Sequence, residues 1–416
     1  MKNGEQSSDN NEAHFHRYLN YVIAIIEKYN GAEPFHLYLK KYFSANKKHG
    51  SKDRKQIAAL CYYYFRIGMA VSPSIDISEK LLLATFLIEK KSSALLEKLK
   101  PAWNEKIHLD IPLKIEMVKD IFFLKKIFPY RDEISNQLTI EDFSLSFLIQ
   151  PKLFIRIRPG YKNVVFGKLK AAQISFEKIN ENCLAFSNNE KVSEVINVDK
   201  EAVIQDFNSQ QTLNLFTSYV ANDTSYLRNQ KSEIRNSTSL WDCCAASGGK
   251  SILACDLLKN IKLTVSDTRK NILENLKKRF AKAGIKNYYS FVSDLSIPNP
   301  QKSTLEKQDL IIADVPCSGS GTWARTPEQL HFFNKKKINE YSVLQQKIIS
   351  NAVEYLNENG YLLYITCSVF KKENEENVDF IQKKLNLLLI KSEYLKGYEM
   401  QADTLFAALF KKKRED

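Results

Sequence analysis

Two cysteines lie in settings where a thiol could be reactive. Cys317 falls in the run DVPCSGSGTWARTPE and Cys367 in the run ITCSV, and each follows an apolar stretch that predicts a buried strand. The Pro, Ser and Gly residues around them are typical of turns at strand ends, where functional side chains concentrate. A thiolate there can add to an electron-poor carbon, so the sequence predicts covalent catalysis. Ordinary buried thiols are expected at Cys61, Cys183 and Cys255.

Carboxylates also recur at the ends of predicted strands. Asp242 ends the strand of SLWDC, Asp267 ends KLTVSD, Asp294 ends YSFVSD, and Asp314 ends the strand of DLIIADVP. One aspartate at such a place is more often a turn or a helix cap, but four in succession favour a ligand site. A carboxylate after the second strand can accept hydrogen bonds from both ribose hydroxyls, and Asp294 is placed to reach an adenine edge. We therefore predict a ribonucleoside cofactor across these strand ends.

The run CCAASGGKS after Asp242 is a small-residue turn that opens a helix. Gly248 and Gly249 let its backbone approach a ligand closely, and free amides at a helix start favour a polar or negative group. Such a loop is a weak signal by itself because many nucleotide-binding folds have one. The absence of a GxxxxGK[ST] phosphate loop argues against a triphosphate ligand.

The thiols and the cofactor site together favour one kind of chemistry. Carbon 5 of a pyrimidine is a poor nucleophile, and a thiolate that adds to carbon 6 turns the ring into an enamine that can attack a methyl sulfonium. Asp314 could hydrogen-bond the ring edge of a cytosine, and Lys250 could orient that carboxylate or help proton transfer. The residues alone leave open which cysteine attacks the ring.

The elements that must position these residues are predicted from about residue 206 onwards, where strands and helices alternate to the end of the chain. This order predicts an α/β fold with a doubly wound, mostly parallel sheet. Ligands of such sheets lie at the carboxyl ends of the strands, beside the point where the strand order reverses. The reactive residues fall at that edge.

Three further segments precede the sheet. Residues 1–12 are polar and expected to be loose, 13–145 are predicted to be helical, and 146–205 to form a small α+β domain, which leaves 206–416 for the α/β fold. In the small domain we expect strands at KLFIRIRP, LAFSNN and EVINVD and a helix near 163–171.

The run GSKDRKQIAALCYYYFRIG (50–68) is the clearest helix of the second segment. Ser51 resembles a helix cap, and an apolar stripe predicts a bundle core, formed by Ile57, Leu60, Cys61 and Tyr64. Three basic residues could contact phosphate but are expected on a solvated face, namely Arg54, Lys55 and Arg66.

The chain has 416 residues, 44% of them hydrophobic, which is enough for two or three domains with real cores. Its 61 Lys and Arg against 48 Asp and Glu give a net charge of +13, which fits either a polyanionic partner or merely a basic surface. The seven cysteines form no CxxC pair, so neither a metal site nor disulfides are expected. With a polar amino terminus and no run of about 18 apolar residues, a soluble cytoplasmic protein without a membrane segment is predicted.

Four runs, QDFNSQQT (205–212), CCAASGGK, DVPCSGSGTW and ITCSV, resemble in order and spacing the motifs of the RsmB/Nop/Sun (Fmu) family of RNA cytosine-5 methyltransferases. The resemblance implies a class I methyltransferase fold with a mostly parallel sheet of seven strands, and S-adenosyl-L-methionine as cofactor. It makes Cys367 the nucleophile and Cys317 the group that assists release, with Asp314 and Lys250 beside them. The implied cofactor contacts are Cys244, Ala245, Ala246, Ser247, Gly248, Gly249, Lys250, Asp267, Asp294 and Asp314.

Upstream the resemblance is weaker. The run DRKQIAALCYYYFR resembles the NusB-like RNA-binding domain of bacterial ribosomal members, and PKLFIRIRP resembles their small domain, which implies small-subunit ribosomal RNA as the partner. Two departures stand out. Ser247 replaces the proline of the usual Ala-Pro-Gly-Gly-Lys loop, which removes a fixed φ. DTLFAALF replaces the usual Asp-Gly-Phe-Phe, which puts a role of that turn in closing the site in doubt.

Other functions remain open at this stage. A transfer-RNA cytosine methyltransferase would share every catalytic residue, and only the accessory domains would distinguish it. A catalytically silent RNA-binding assembly factor is less expected, because binding alone needs neither thiol. DNA is a less expected substrate, since DNA cytosine-5 enzymes resemble this pattern only in the PC-motif cysteine. We expect the protein to act as a monomer.

Overall fold

The structure is a computed structural model that describes residues 5–221, 237–258, 260–298 and 305–413. The chain divides into two compact units. The first takes residues up to 132 together with 139–150 and 323–334, and the second takes 133–138, 151–322 and 335 onwards. Within the described residues, every helix is too short or too polar to cross a membrane.

Besides the short helix Pro327–Phe332, the first unit contains the helices up to residue 146. They are α1 (Glu5–Lys28), α2 (Phe35–Ala45), α3 (Ser51–Ile67), α4 (Ile77–Ile88), α5 (Ala94–Leu99), α6 (Pro101–Glu105), α7 (Ile111–Met117) and α8 (Ile140–Ser146). Helix α1 begins inside the segment 1–12 that was predicted to be loose. Helix α4 is buried almost all round and forms the centre of the bundle core, as its run KLLLATFLI requires.

Helix α3 confirms part of its predicted stripe and corrects the rest. Ile57, Leu60 and Cys61 are buried, whereas Tyr64 is only half-buried. The capping prediction was wrong by one residue. Gly50 is the N-cap, and its backbone N–H donates to the Asp53 carboxylate at 3.1 Å.

Lys55 and Arg66 were both predicted to lie on a solvated face of α3. Lys55 is exposed, as predicted, but Arg66 is only 1% exposed, so that prediction was wrong for Arg66. Its guanidinium donates to three backbone carbonyls, those of Phe147 (2.9 Å), Ile149 (3.3 Å) and Ala324 (2.8 Å). Burial lowers the pKa of Arg66 to about 10. A buried cation is tolerated here because chain segments that are remote in sequence supply acceptors.

A four-stranded antiparallel sheet follows, in the order β2-β3-β1-β4. Its elements are β1 (Leu153–Ile157), α9 (Lys162–Ala171), β2 (Glu177–Lys178), β3 (Cys183–Phe186), α10 (Val192–Val195) and β4 (Ala202–Ile204). The strands predicted at KLFIRIRP and LAFSNN and the helix near 163–171 are confirmed. The strand predicted at EVINVD is wrong, because Glu194 and Val195 end helix α10 and the next strand, β4, begins only at Ala202.

The remaining elements are α11 (Phe207–Gln211), α12 (Asn214–Val220), β5 (Thr238–Asp242), α13 (Gly249–Leu257), β6 (Ile261–Asp267), α14 (Lys270–Ala283), β7 (Tyr288–Val292), β8 (Gln308–Asp314), α15 (Pro327–Phe332), α16 (Lys336–Val353), β9 (Leu356–Thr366), α17 (Glu375–Lys384), β10 (Leu387–Leu395) and β11 (Leu405–Lys412). The seven strands among them form one sheet in the order β10-β11-β9-β8-β5-β6-β7.

Strands β5 to β9 pair in parallel, and β11 lies antiparallel to both β9 and β10. The predicted doubly wound, mostly parallel sheet of seven strands is therefore confirmed. The run LIIA of β8 is buried on both faces, as expected where helices cover both sides of a parallel sheet. The order reverses between β5 and β8, and the carboxyl ends of these two strands carry the candidate site. The limits of the four predicted segments stay a prediction.

Candidate active site

The structure brings the two predicted thiols together. Strands β8 and β9 run side by side, with Asp314 opposite Ile365, and each continues into a cysteine-bearing turn. The Sγ atoms of Cys317 and Cys367 lie 3.1 Å apart, and the backbone N–H of Cys367 donates to the sulfur of Cys317 at 3.3 Å. The hydrogen bond to Cys367 and burial raise the pKa of the Cys317 thiol well above its usual range.

The other predicted cysteine environments hold in part. Cys61 and Cys183 are buried, as expected for structural thiols, whereas Cys255 is partly buried.

No group of three or more His, Cys, Asp or Glu side chains among the described residues is arranged to hold a metal ion.

Lys250 and Asp314 form an ion pair at the same edge of the sheet. Lys250 is the second residue of α13, and its Nζ lies 2.6 Å from Oδ2 of Asp314 at the end of β8. Burial alone would lower the pKa of Lys250, but its contact with Asp314 raises it overall. The ammonium therefore stays charged and holds the carboxylate in a fixed direction.

The predicted cofactor loop joins β5 to α13. Gly248 is the N-cap of α13 with φ +84°, and a Cβ atom there would lie 2.7 Å from the ring of Phe280. A side chain is thus excluded both by the left-handed backbone and by close packing. Within this loop, the Cys244 thiol is hydrogen-bonded to Cys243, and that contact together with burial raises the pKa of Cys244.

Asp267 supports the loop from the end of β6. Its carboxylate is 6% exposed and accepts a hydrogen bond from the backbone N–H of Ala246 at 3.0 Å. Arg269 donates to the same carboxylate from its backbone and from its guanidinium. Burial would raise the pKa of Asp267, but the hydrogen bonds from Arg269 and Ala246 lower it overall.

Arg279 compensates for the serine that replaces proline in this loop. Its Nη1 donates to both the carbonyl and the hydroxyl oxygen of Ser247, each at 2.9 Å. The same guanidinium bonds Oδ1 of Asp199, at 3.0 Å from Nε and 2.8 Å from Nη2. Side-chain hydrogen bonds therefore restrain the position where a proline would fix φ.

Asp242 is the most deeply buried of the four strand-end aspartates. It was counted among the strand-end aspartates but given no role. Its side chain is 1% exposed, Oδ2 accepts from the Ser251 hydroxyl at 2.6 Å, and Oδ1 has no hydrogen-bond partner within the described part of the chain. Burial raises the pKa of Asp242 to about 7. An unpaired buried carboxylate oxygen beside the loop suits a ligand that donates a hydrogen bond.

Asp294 lies two residues beyond the end of β7 rather than at the strand end. Its side chain is exposed and accepts from the backbone N–H of Ser296 at 2.9 Å, which is a turn contact. Thr404, in the segment DTLFAALF, contacts the thiol loops through its backbone. Thr404 donates to the carbonyl of Gly321, whose own N–H donates to the carbonyl of Cys367.

The sheet order, the glycine loop after its first parallel strand and the strand-end carboxylates define a methyltransferase-type α/β domain. Residues 230–411 match the family model described as 16S rRNA methyltransferase RsmB/F. The thiol pair and the cofactor loop both lie within the matched segment.

Curated relatives are similar to about a third of the chain. The ribosomal RNA small subunit methyltransferase B of Shewanella oneidensis is 31% identical over 137 residues, which is 33% of this chain and 32% of the relative. That of Cronobacter sakazakii is 33% identical over 147 residues, 34% of this chain and 33% of the relative. The human 28S rRNA (cytosine(4447)-C(5))-methyltransferase is 29% identical over 36% of this chain and 19% of the relative. The chain thus spans about a third or less of these relatives.

Solved structures show the fold over a longer stretch. The crystal structure of PH0851 superposes with a TM-score of 0.65 at 18% identity, covering 95% of this chain and 98% of that one. The structure of NSun6 from Pyrococcus horikoshii with SFG gives a TM-score of 0.55 at 15% identity, covering 70% and 97%. Both likenesses support the described architecture.

Proposed function

We propose that this protein transfers a methyl group from S-adenosylmethionine to carbon 5 of a cytosine in small-subunit ribosomal RNA, through a covalent adduct with Cys367. The observation that carries the proposal is the contact between Cys317 and Cys367 at neighbouring strand ends beside the Lys250–Asp314 pair. A structural thiol pair would have no need of a charged pair next to it. The RsmB/F family match covers all four residues.

Ribosomal RNA is the substrate that the relatives favour. The bacterial and human relatives compared above are all named as ribosomal RNA methyltransferases. The net charge of +13 suits a polyanion, since each phosphate neutralised by Lys or Arg releases counterions. A target base must leave its stack to meet two thiols at a strand end, as in other enzymes that modify bases.

Cys367 acts as the nucleophile in this proposal. Its thiolate adds to carbon 6 of the cytosine, which makes carbon 5 nucleophilic enough to take the methyl group. A base then removes the proton of carbon 5, and the bond from carbon 6 to sulfur breaks and restores the aromatic ring. Cys317 lies in contact with the leaving sulfur, and its raised pKa suits a group that exchanges protons rather than one that attacks.

Asp314 and Lys250 orient the base. The carboxylate of Asp314 would accept a hydrogen bond from the ring edge of the cytosine and so favour protonation at the ring nitrogen. Lys250 holds that carboxylate at 2.6 Å and balances its charge when the ring becomes an adduct. Asp314 can also relay a proton at carbon 5.

The cofactor would be held by Cys244–Lys250, Asp267, Asp294 and Asp314. When bound, S-adenosylmethionine supplies an activated methyl group on a sulfonium. The residues fit such a group, because Gly248 lets the backbone come close, Asp267 presents a carboxylate suited to ribose hydroxyls, and Asp242 keeps an unpaired buried oxygen. The loop is held in place by Arg279 before any ligand arrives.

The proposal is tested with the full chain, S-adenosylmethionine carrying a deuterated methyl group, and transcripts of small-subunit ribosomal RNA and of transfer RNA. Nucleoside mass spectrometry should find labelled 5-methylcytidine in the ribosomal transcript. Cys367→Ala should abolish the label, and Cys255→Ala, a partly buried thiol outside the site, should retain it. Label confined to transfer RNA would select the alternative substrate, and RNA binding without any label would select the silent assembly factor.

A further inference from the structure

A buried carboxylate connects the turns that carry the two thiols. Glu373 lies in the run CSVFKKEN after β9, and its side chain is 0% exposed. A fully buried acid is costly unless specific partners satisfy its oxygens. Sequence analysis gave it no role, since one acid among the many in KKENEEN looks like an ordinary surface residue.

The partners of Glu373 are the residues that directly follow the two cysteines. Oε2 accepts from the backbone N–H of Ser318 at 2.9 Å, and Oε1 accepts from the hydroxyl of Ser368 at 2.7 Å. Oε2 also accepts from Nε2 of Gln345 at 2.9 Å, and that amide donates in turn to the carbonyl of Pro316. One carboxylate thus contacts the cysteine turns of both β8 and β9.

A second layer of hydrogen bonds closes the arrangement. The hydroxyls of Ser318 and Ser368 lie 3.1 Å apart, and Ser320 accepts from the backbone N–H of Val369 at 2.9 Å. The hydroxyl of Tyr364 donates to the backbone carbonyl of Glu373 at 2.6 Å, which fixes the acid itself. These contacts add to those of Glu373 in linking the two cysteine turns.

We propose that Glu373 is a positioning residue for the thiol pair, holding the Cys317 and Cys367 turns in the register that keeps their sulfur atoms in contact. The two turns belong to different strands and have no covalent link, so their separation depends on what bridges them. A displacement of about 1 Å in reacting groups can cost on the order of a hundredfold in rate. The significance for catalysis rests on the proposed function, but the geometric claim does not.

The geometric claim is tested by the rate at which the two thiols form a disulfide, which requires the sulfurs to approach from 3.1 Å to bonding distance. Diamide is the oxidant, and it takes up the two electrons and two protons that the thiols lose. Mass spectrometry of peptides identifies the Cys317–Cys367 bond and separates it from any bond to Cys243 or Cys244. The full-length reduced protein is used, so the readout is independent of RNA and of methyl transfer.

Glu373→Ala should slow formation of this disulfide by roughly tenfold or more, because the carboxylate contacts to both cysteine turns are lost. Glu373→Gln keeps an oxygen for Ser318 and should restore most of the rate. Asp309→Ala is the matched control, since Asp309 also accepts three hydrogen bonds but lies at the amino end of β8. It should oxidise like the wild type.

Affinity for S-adenosylmethionine, measured by calorimetry, should be unchanged in the Glu373 variants that fold. Where the enzyme is active, kcat should fall while KM stays constant. Disulfide formation at the wild-type rate in folded Glu373→Ala would overturn the proposal. If that variant does not fold, two milder variants decide the matter. Ser368→Ala removes only the contact to the Cys367 turn, and Glu373→Asp shortens the side chain and so weakens its contacts to both turns. Wild-type oxidation rates in both would overturn it equally.

Discussion

The sulfur of Cys317 contacts the sulfur of Cys367 at 3.1 Å although the two residues are 50 positions apart in the chain. The contact arises because β8 and β9 are parallel neighbours, so turns that follow their carboxyl ends meet at one edge of the sheet. In the proposed function, a single base over this edge would reach both thiols. The hydrogen bond and the burial that raise the pKa of Cys317 favour its neutral form. The two cysteines are therefore chemically different, which makes their roles separable by experiment.

The first prediction separates the two thiols by substitution. Cys367→Ala should abolish methyl transfer and any covalent protein–RNA species, because carbon 6 is never attacked. Cys317→Ala should still attack and methylate but release slowly, so an adduct that resists denaturation should accumulate. Denaturing gel electrophoresis with labelled RNA measures both results. The opposite pattern, with an adduct only in Cys367→Ala, would exchange the two roles.

The second prediction concerns Asp267, the carboxylate at the end of β6 that we propose binds the cofactor. Asp267→Ala should weaken S-adenosylmethionine binding about tenfold to a hundredfold, corresponding to roughly 1.5 to 3 kcal/mol for a charged hydrogen-bonding group. Asp294→Ala should cost less, because that side chain is exposed and already satisfied by a turn contact. Calorimetry on folded variants measures both affinities. Wild-type affinity in Asp267→Ala would remove this residue from the proposed site.

The sheet and the edge at which the two thiols meet could be predicted from sequence because the signals are local. Apolar runs of strand length, each ending in Asp or in a Pro/Ser/Gly turn, predict both the strands and the face at which their carboxyl ends meet. The strand predicted at EVINVD was wrong because a short apolar run fits a helix turn as well as a strand.

Residues whose environment depends on distant segments could not be predicted. Arg66 was expected on a solvated face, since helical periodicity does not reveal that carbonyls from residues 147 and 324 surround it. Glu373 was missed for the same reason, because its partners Ser318 and Gln345 lie in other elements. The role of Arg279 in replacing a proline also depends on a contact between α14 and the cofactor loop.

The third prediction tests whether Arg279 compensates for the proline that Ser247 replaces. Arg279→Ala should weaken cofactor binding by about tenfold, since the loop loses roughly 1.4 kcal/mol of charged hydrogen bonding. Ser247→Ala should have a smaller effect, because the carbonyl of residue 247 still accepts from the guanidinium. Adding Ser247→Pro to Arg279→Ala should recover part of the affinity by fixing φ. Calorimetry decides, and equal affinities in the wild type and Arg279→Ala would refute the compensation.

The fourth prediction concerns pH and the buried Asp242. Burial raises its pKa from 3.8 to about 7. Of the charged groups around it, Asp314 and Asp267 also raise this pKa, and Lys250 lowers it. The folded protein therefore keeps a proton that the unfolded chain releases near pH 4. This contribution to stability is present below about pH 4 and is lost as pH rises through 7.

Asp242→Asn should remove that pH dependence. Relative to the wild type, its free energy of unfolding should gain about 1 to 3 kcal/mol between pH 5 and pH 8. Urea unfolding at both pH values measures the difference, and the comparison cancels the titration of other groups. Parallel curves for the two proteins would show that Asp242 has an ordinary pKa.

The last prediction concerns the buried cation of the helical unit. Arg66→Met keeps the volume but leaves the carbonyls of Phe147 and Ala324 without a donor, which should lower the free energy of unfolding by about 3 kcal/mol. Lys55→Met, on the exposed face of the same helix, should change it by less than about 0.5 kcal/mol. Trp103 and Trp323 lie in this unit, so tryptophan fluorescence in a urea titration reports on it. Equal stability of the two variants would mean that solvent reaches the carbonyls of 147 and 324.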